Sequence, residues 1–490
     1  MHAREVFGLV IAGAAAGLAC GAVVEADVAV VGGGSAGFSA AWSAAHLGSS
    51  VVLVEKEAVL GGTSTLGGVN NWEPGMGGTG VPYRVYQRLE KIPAAAGVYR
   101  IDRHCSWKKP WEKYAFPGGL IETDPCLDYA HTLLRHGPGM SDEAWFRANC
   151  HGVIFEPDAL AAVMSDMLRE TGRCRVFLKT ALAEVRRDGG RVSEVSLSDG
   201  TAVRAKVFID ATDGALCGRL GCELMSGRDC RADFNEPGAP SNRLSQINGA
   251  TLVYRVSPVG KKEPDLVEPL PEDIPAACWW QKQFPYAFVG KYPAGDLFIN
   301  MLPTMAGEEY LRLGGEQAYA ECVRRARAHW HWYQQNFDEF RRFRLKMFFP
   351  KAGLRETRRV RGEYVLSQND LLATQSGQKH DDVIAIADHP MDSHGGGGPG
   401  GELKGAYGIP YRCLLPLRTE NVLVAGRAAS FSAIAASSCR LSRTMMQLGE
   451  AAGTAAHLAC ARGVPLRAVP ASEIRRLMAE KIDQDPQGGK

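Results

Sequence analysis

An apolar run at 28–31 breaks at three glycines. A small-residue stretch with helical spacing follows at 38–47, and a second apolar run at 50–54 ends on Glu55. Runs of four or five apolar residues without polar alternation are the mark of strands covered on both faces, so this opening predicts strand, turn, helix, strand. The spacing predicts a further helix over 156–171. Residues 175–207 then alternate in short runs broken at Asp188-Gly189-Gly190 and Asp199-Gly200, which reads as a β-meander with tight turns. The stretch after Gly214 reads as helical, 316–340 has helical spacing, and a last apolar strand is expected at 421–425.

The glycines at the first turn place Gly32, Gly34 and Gly37 in a G-x-G-x-x-G pattern. Gly32 suits the tight turn, Gly34 lets backbone approach a pyrophosphate, and Gly37 lets the helix pack closely on the sheet. Ser35 and Ala36 lie between these glycines, ahead of the helix expected at 38–47, whose first amides have no partner within the helix and face the phosphates. Glu55, at the end of the second strand, is where a carboxylate accepts from ribose hydroxyls. The complete unit predicts a bound dinucleotide.

Beyond Glu55, the segment Lys56, Gly61, Gly62, Thr63, Ser64 resembles the second glycine pair of FAD-binding oxidoreductases. Ala211-Thr212 looks like the Ala-Thr-Gly turn beside the cofactor, with Asp213 where that family more often has Gly. Gly426-Arg427 looks like its late strand end, and Gly449 and Ala451 fall in the small-residue helix that follows. With Gly353-Leu354-Arg355-Glu356-Thr357-Arg358-Arg359 and His389-Pro390-Met391-Asp392-Ser393-His394, the chain resembles the broad FAD-dependent oxidoreductase family, which has many exported bacterial members, over nearly all its length after Asp27. The resemblance implies FAD as cofactor, held by all the glycine-loop, Glu55 and late-segment residues just named. The chain departs from the family pattern at Ser438–Thr444, where a Pro-Thr pair is usual, and in the glycine-rich insertion Gly395–Gly401. Both bear on substrate more than on cofactor.

Because the cofactor segments lie at both ends, the expected fold is α/β: a discontinuous Rossmann-like FAD domain with a doubly wound parallel sheet and meander (27–224 and 418–462), and an inserted α+β substrate domain (225–417). A cap insertion at 70–150 covers the flavin, with Asn70, Asn71 and Trp72 at its start, and 463–490 is a C-terminal tail.

Composition narrows the function. Across 490 residues, 45% are hydrophobic and 22% charged, and the net charge is +2. This is a globular enzyme's composition, without the overall field that would draw it to nucleic acid. The basic helix carrying Arg324, Arg325 and Arg327 is interspersed with acids and reads as a solvated face, and Trp279, Trp280, Trp330 and Trp332 read as core or interface. Residues 6–24 form a short apolar stretch followed by Val24-Glu25-Ala26, which reads as a cleaved export signal over 1–26 with no transmembrane span in the mature chain. Gly17-Leu18-Ala19-Cys20 imperfectly resembles a lipoprotein box, and a misassigned start would instead leave the protein cytoplasmic. Of thirteen cysteines, twelve follow the signal, an even number that disulfides could consume after export. No Cys-x-x-Cys occurs, so no metal site is expected. Cys217 and Cys222 have the spacing of a flavoenzyme dithiol, but positions five apart on a helix face different ways, so both read as packing residues.

For chemistry, His394 is the candidate base or acid and Asp392 its orienting carboxylate. Arg355 or Arg358 is suited to clamp a substrate carboxylate or to steady a reduced flavin; an internal Arg–Glu pair is the competing account. The reading is a FAD-dependent oxidoreductase that moves a hydride between a small organic substrate and the flavin. With one dinucleotide fingerprint, electrons pass to or from a separate partner. The alternatives are a FAD-containing lyase or isomerase, or a cell-surface polysaccharide binder, without net redox turnover; an RNA-modifying flavoenzyme fits the charge poorly.

Overall fold

The computed structural model describes residues 22–105, 116–356, 358–394 and 398–480. Residues 1–21 of the expected leader, Thr357 and Gly395 to Gly397 lie outside this set. Strand β1 (Val23–Val31), helix α1 (Ser35–His46) and strand β2 (Val51–Val54) form the predicted opening unit. The strand begins at Val23, four residues before the expected Asp27, because Val23 to Ala26 stay in parallel register with Ala202 to Ala205. The segment Val24-Glu25-Ala26 is therefore part of the sheet.

That sheet has seven strands. Cys174–Phe177, β2, β1, Ala202–Asp210 and Val422–Val424 run parallel, and the hairpin Leu182–Asp188 with Arg191–Leu197 joins antiparallel at the edge. The first run of the expected meander thus belongs to the parallel sheet, since its four residues pair with Val51 to Val54. Helix Ser442–Arg462 packs along α1 at glycine contacts. A Cβ on Gly449 would lie 2.1 Å from the Ala36 carbonyl oxygen, and one on Gly453 would lie 2.2 Å from that of Ala40. Close approach here is a packing requirement.

The cap and the substrate segment share a single sheet. Its eight strands run in the order Phe343–Phe348, Val253–Pro258, Leu297–Met301, Ala287–Lys291, Gly118–Thr123, Ala96–Arg103, Gly152–Phe155, Asn71–Trp72. The seam between the insertions is the parallel pair Ala287–Lys291 with Gly118–Thr123. Helix Gly315–Asn336 covers this sheet, with Trp330 and Tyr333 buried in its core. Arg325 departs from the solvated-face expectation: it is buried, 2.5 Å from Glu309 and 3.0 Å from Glu321, and it stacks over Trp280. Two carboxylates and an aromatic face replace the water that a guanidinium loses on burial. The expected tail is ordered where it is described, with helix Ala471–Glu480 burying Ile474 and pairing Glu473 with Arg462. No helix among the described residues is long and apolar enough to cross a membrane.

Candidate active site

One cavity of about 1590 Å³ runs from the carboxyl ends of the parallel strands to the face of the eight-stranded sheet. Ligand pockets of roughly 300–1,000 Å³ hold one drug-sized molecule, so this space accommodates a dinucleotide and a substrate end to end. Open parallel sheets bind at this position, past the carboxyl ends of their strands.

At the strand end, Gly32, Gly34, Ser35, Ala36, Glu55, Lys56, Gly61, Gly62, Thr63, Ala211, Thr212, Gly426 and Arg427 line the cavity. Gly32 turns at φ +102° with the Ala211 carbonyl against it, and a Cβ on Gly37 would meet the Gly32 oxygen at 1.8 Å. Those two glycines serve the turn. A Cβ on Gly34 would meet nothing within 4 Å and would project into open space. No side chain caps α1, so its first amides are left for an anion. Glu55 is buried and accepts from the amides of Gly33 at 2.5 Å and Glu57 at 2.8 Å, which fixes its carboxylate at the cavity wall. An open glycine, an uncapped helix start and a fixed carboxylate are the donor and acceptor set that a dinucleotide with a ribose needs. Besides Gly37, three expected cofactor residues lie off the cavity lining. Gly449 and Ala451 are buried in the helix Ser442–Arg462, with Gly449 against α1, and Ser64 bonds the Ser442 hydroxyl at 2.8 Å.

The chemistry-bearing side chains gather at the other end. His394 Nε2 is 2.5 Å from Asp392 Oδ2, and Arg440 donates to the same oxygen at 2.8 Å. With Asp392 ionised, Nε2 must carry the proton, so the Nδ1 lone pair is free. Burial first, then the Arg355 charge, lowers the His394 pKa to about 4 against the pull of Asp392. Burial alone would raise Asp392, but the His394 hydrogen bond and the Arg440 charge hold it well below the usual carboxylate range.

Arg355 enters from Gly353–Leu354 and donates from Nη1 to the Gly249 oxygen and Thr251 Oγ1, each at 2.8 Å. The amide of Gly249 donates to the His394 carbonyl at 2.8 Å, so one backbone residue links the guanidinium to the His394 turn. Burial, with Arg440 and Arg427 nearby, lowers the Arg355 pKa to about 9. The Asp392 charge offsets this only in part, and that carboxylate already bonds His394 and Arg440, so Arg355 gains from a bound anion. Arg427 holds this segment by donating to the Leu354 oxygen, with Asp213 at 3.8 Å. Arg358 is exposed on strand Arg358–Val360 and reaches the cavity rim.

Several residues of the site escape sequence reading. Glu73 lies 3.3 Å from His389 and 3.8 Å from Arg135, which also pairs with Glu402 at 2.9 Å. Burial would raise Glu73, yet His389 and Arg135 lower its pKa to about 2. Arg443 donates to the carbonyls of Glu73, Gly75 and Thr132 and fastens the cap to the start of helix Ser442–Arg462. In the sequence Glu73, Arg135 and Glu402 are single charged residues without a motif; only proximity in the fold joins them to His389 and Arg443. Asn71 and Trp72 line the cavity as expected, whereas Asn70 is buried and donates to the Phe155 carbonyl and the Tyr292 hydroxyl.

A model of the family described as FAD dependent oxidoreductase matches residues 27–478. A fumarate reductase (cytochrome) of Shewanella frigidimarina is 59% identical over 46 residues, 9% of this chain and 8% of that protein. A urocanate reductase of Eggerthella lenta is 46% identical over 57 residues, 11% of this chain and 9% of that protein. The chain thus matches less than a tenth of the length of either relative. Among solved structures, a geranylgeranyl bacteriochlorophyll reductase-like protein of Thermoplasma acidophilum aligns over 94% of this chain and 92% of its own at 14% identity and a TM-score of 0.40. The L-amino acid deaminase of Proteus myxofaciens, in complex with anthranilate, aligns over 93% and 94% at 13% identity and a TM-score of 0.43.

Proposed function

The chain belongs to the FAD-dependent oxidoreductase family, and from that premise we propose that it transfers a hydride between its flavin and a small organic anion held by Arg355, with His394 as the base. The observation that carries this reading is His394, paired through Nε2 to Asp392 at 2.5 Å, in the same cavity wall as Arg355. Bound FAD supplies the hydride acceptor or donor. Arg355 orients a substrate carboxylate through its remaining N–H groups, and the free Nδ1 of His394 takes the proton from the OH or NH on the carbon being oxidised. The Arg440–Asp392 pair keeps the imidazole turned so that Nδ1 faces the cavity. Electrons leave to, or arrive from, a separate partner.

Anaerobic addition of 2-hydroxy and 2-amino acids tests the reaction class: the productive substrate is expected to bleach the flavin absorbance. A substrate consumed while the flavin stays oxidised would replace this reading with a lyase or isomerase.

The anion site has its own test. Arg355→Met is expected to raise KM for a carboxylate substrate about tenfold to a hundredfold, following the roughly 1.5–3 kcal/mol of a charge-assisted hydrogen bond, with FAD content unchanged. The amide analogue of the same substrate should lose little. Equal losses for acid and amide would remove Arg355 from substrate binding.

A further inference from the structure

The backbone folds Cys222 back over Cys217, although five positions apart on a continuing helix would separate them. Helix Ala215–Arg219 stops after five residues, and Gly221 takes φ +73°. The amide of Cys222 then donates to the Cys217 carbonyl at 3.0 Å and that of Gly221 to Gly218 at 3.1 Å. These are the two bonds of a Schellman cap, a turn that folds the second residue past the helix end back over the third residue from it. Here both residues are cysteines, so the cap folds Cys222 back over Cys217.

We propose that Cys217 and Cys222 form a reversible thiol–disulfide site that reacts with low-molecular-weight disulfides such as glutathione disulfide. The two sulfurs differ in access. Cys217 is fully buried, whereas Cys222 is partly exposed. They also differ in acidity: the Cys217 hydrogen bond lowers the Cys222 pKa with help from Arg187, and the same contact, with burial and Asp210, raises that of Cys217. The Cys222 thiolate attacks one sulfur of the small disulfide, the S–S bond breaks, and one small thiolate leaves and takes up a proton. Cys217 then gives up its proton and attacks Cys222 Sγ. The protein disulfide forms and the second small thiol departs. Two protein thiols are oxidised, and one small disulfide is reduced to two thiols.

Position gives the site its interest. The Cys217 amide donates to Asp210 Oδ2 at 2.9 Å, and Asp210 Oδ1 accepts from the amide of Thr212 at 3.0 Å and from its hydroxyl. The dithiol is thus one carboxylate away from the Ala211-Thr212 turn in the cofactor wall.

The test is peptide mass spectrometry after alkylation, on FAD-loaded protein held in glutathione buffers of rising oxidation. A Cys217–Cys222 disulfide is expected, reversed on return to reduced glutathione. Cys217→Ser should trap a stable glutathione adduct on Cys222, and Cys222→Ser should leave Cys217 unmodified, each variant retaining the wild-type flavin spectrum as a check of fold. If the exposed Cys126 is glutathionylated while Cys217 and Cys222 stay reduced, the proposal fails. An adduct on Cys217 in the Cys222→Ser protein would overturn the order of attack.

Discussion

A Gly34→Val protein is expected to fold with the wild-type circular dichroism spectrum and to be purified without flavin absorbance. The two halves of that outcome have separate causes. Gly34 sits at φ −68° and ψ −174°, an extended conformation open to any residue, and a Cβ there finds no protein atom within 4 Å. The first carbon of a valine side chain therefore strains nothing in the chain itself. Its methyls enter the space beside the uncapped start of α1, where a pyrophosphate must approach the amides. Overpacking where neighbours can relax costs about 1–3 kcal/mol. A pyrophosphate held on several amides has little room to relax, so at least roughly a hundredfold loss in FAD affinity follows. Gly32 is the contrast, because its positive φ and the Ala211 oxygen at 2.5 Å from an added Cβ make the turn itself intolerant. A flavin-free but folded Gly34→Val protein would identify the open glycine as the pyrophosphate position; normal FAD content would exclude it.

The same local logic marks what could be read before the fold was known. The turn, α1 and β2 were legible because each glycine, apolar run and terminal carboxylate has a meaning within about thirty residues. The eight-stranded sheet was not, because Ala287–Lys291 and Gly118–Thr123 pair across a long separation and nothing in either segment names its partner. Gly449 and Ala451 were small residues with two explanations; Gly449 packs against Ala36 of α1 and Ala451 is buried. Cys217 and Cys222 misled for a different reason. Helix periodicity says where side chains point only while the helix lasts, and the turn at Gly221 ends it. Of the candidate acid–base groups, His394 and Asp392 were found together because they are two residues apart, in a segment that also carries His389, whereas Arg440 and Glu73 reach the site from separate segments.

Replacing His394 by alanine is expected to leave FAD bound and to slow substrate-driven flavin reduction by about 10²–10⁴-fold, the usual contribution of a positioned base. FAD should remain because His394 lies at the far end of the cavity from the glycine turn and takes no part in its hydrogen bonds. The pH profile separates a base from a merely structural histidine. The active form is the neutral imidazole, so kcat/KM should be full at neutral pH and fall on the acid side through pH about 4, well below the ordinary histidine range. Asp392 is the one group pulling that pKa upward through its hydrogen bond and charge, while burial, Arg355 and Arg440 push it down. Asp392→Asn should therefore move the acid limb lower still. It should also reduce kcat, because the amide can present its NH₂ to Nε2 and favour the tautomer whose Nδ1 carries the proton and cannot accept one. Arg355→Met, by removing a neighbouring positive charge, should move the limb the opposite way. Stopped-flow reduction measured across pH in the three variants reads all of these shifts. Unchanged reduction in His394→Ala, or an acid limb that stays in place in both other variants, would take the base role away from His394.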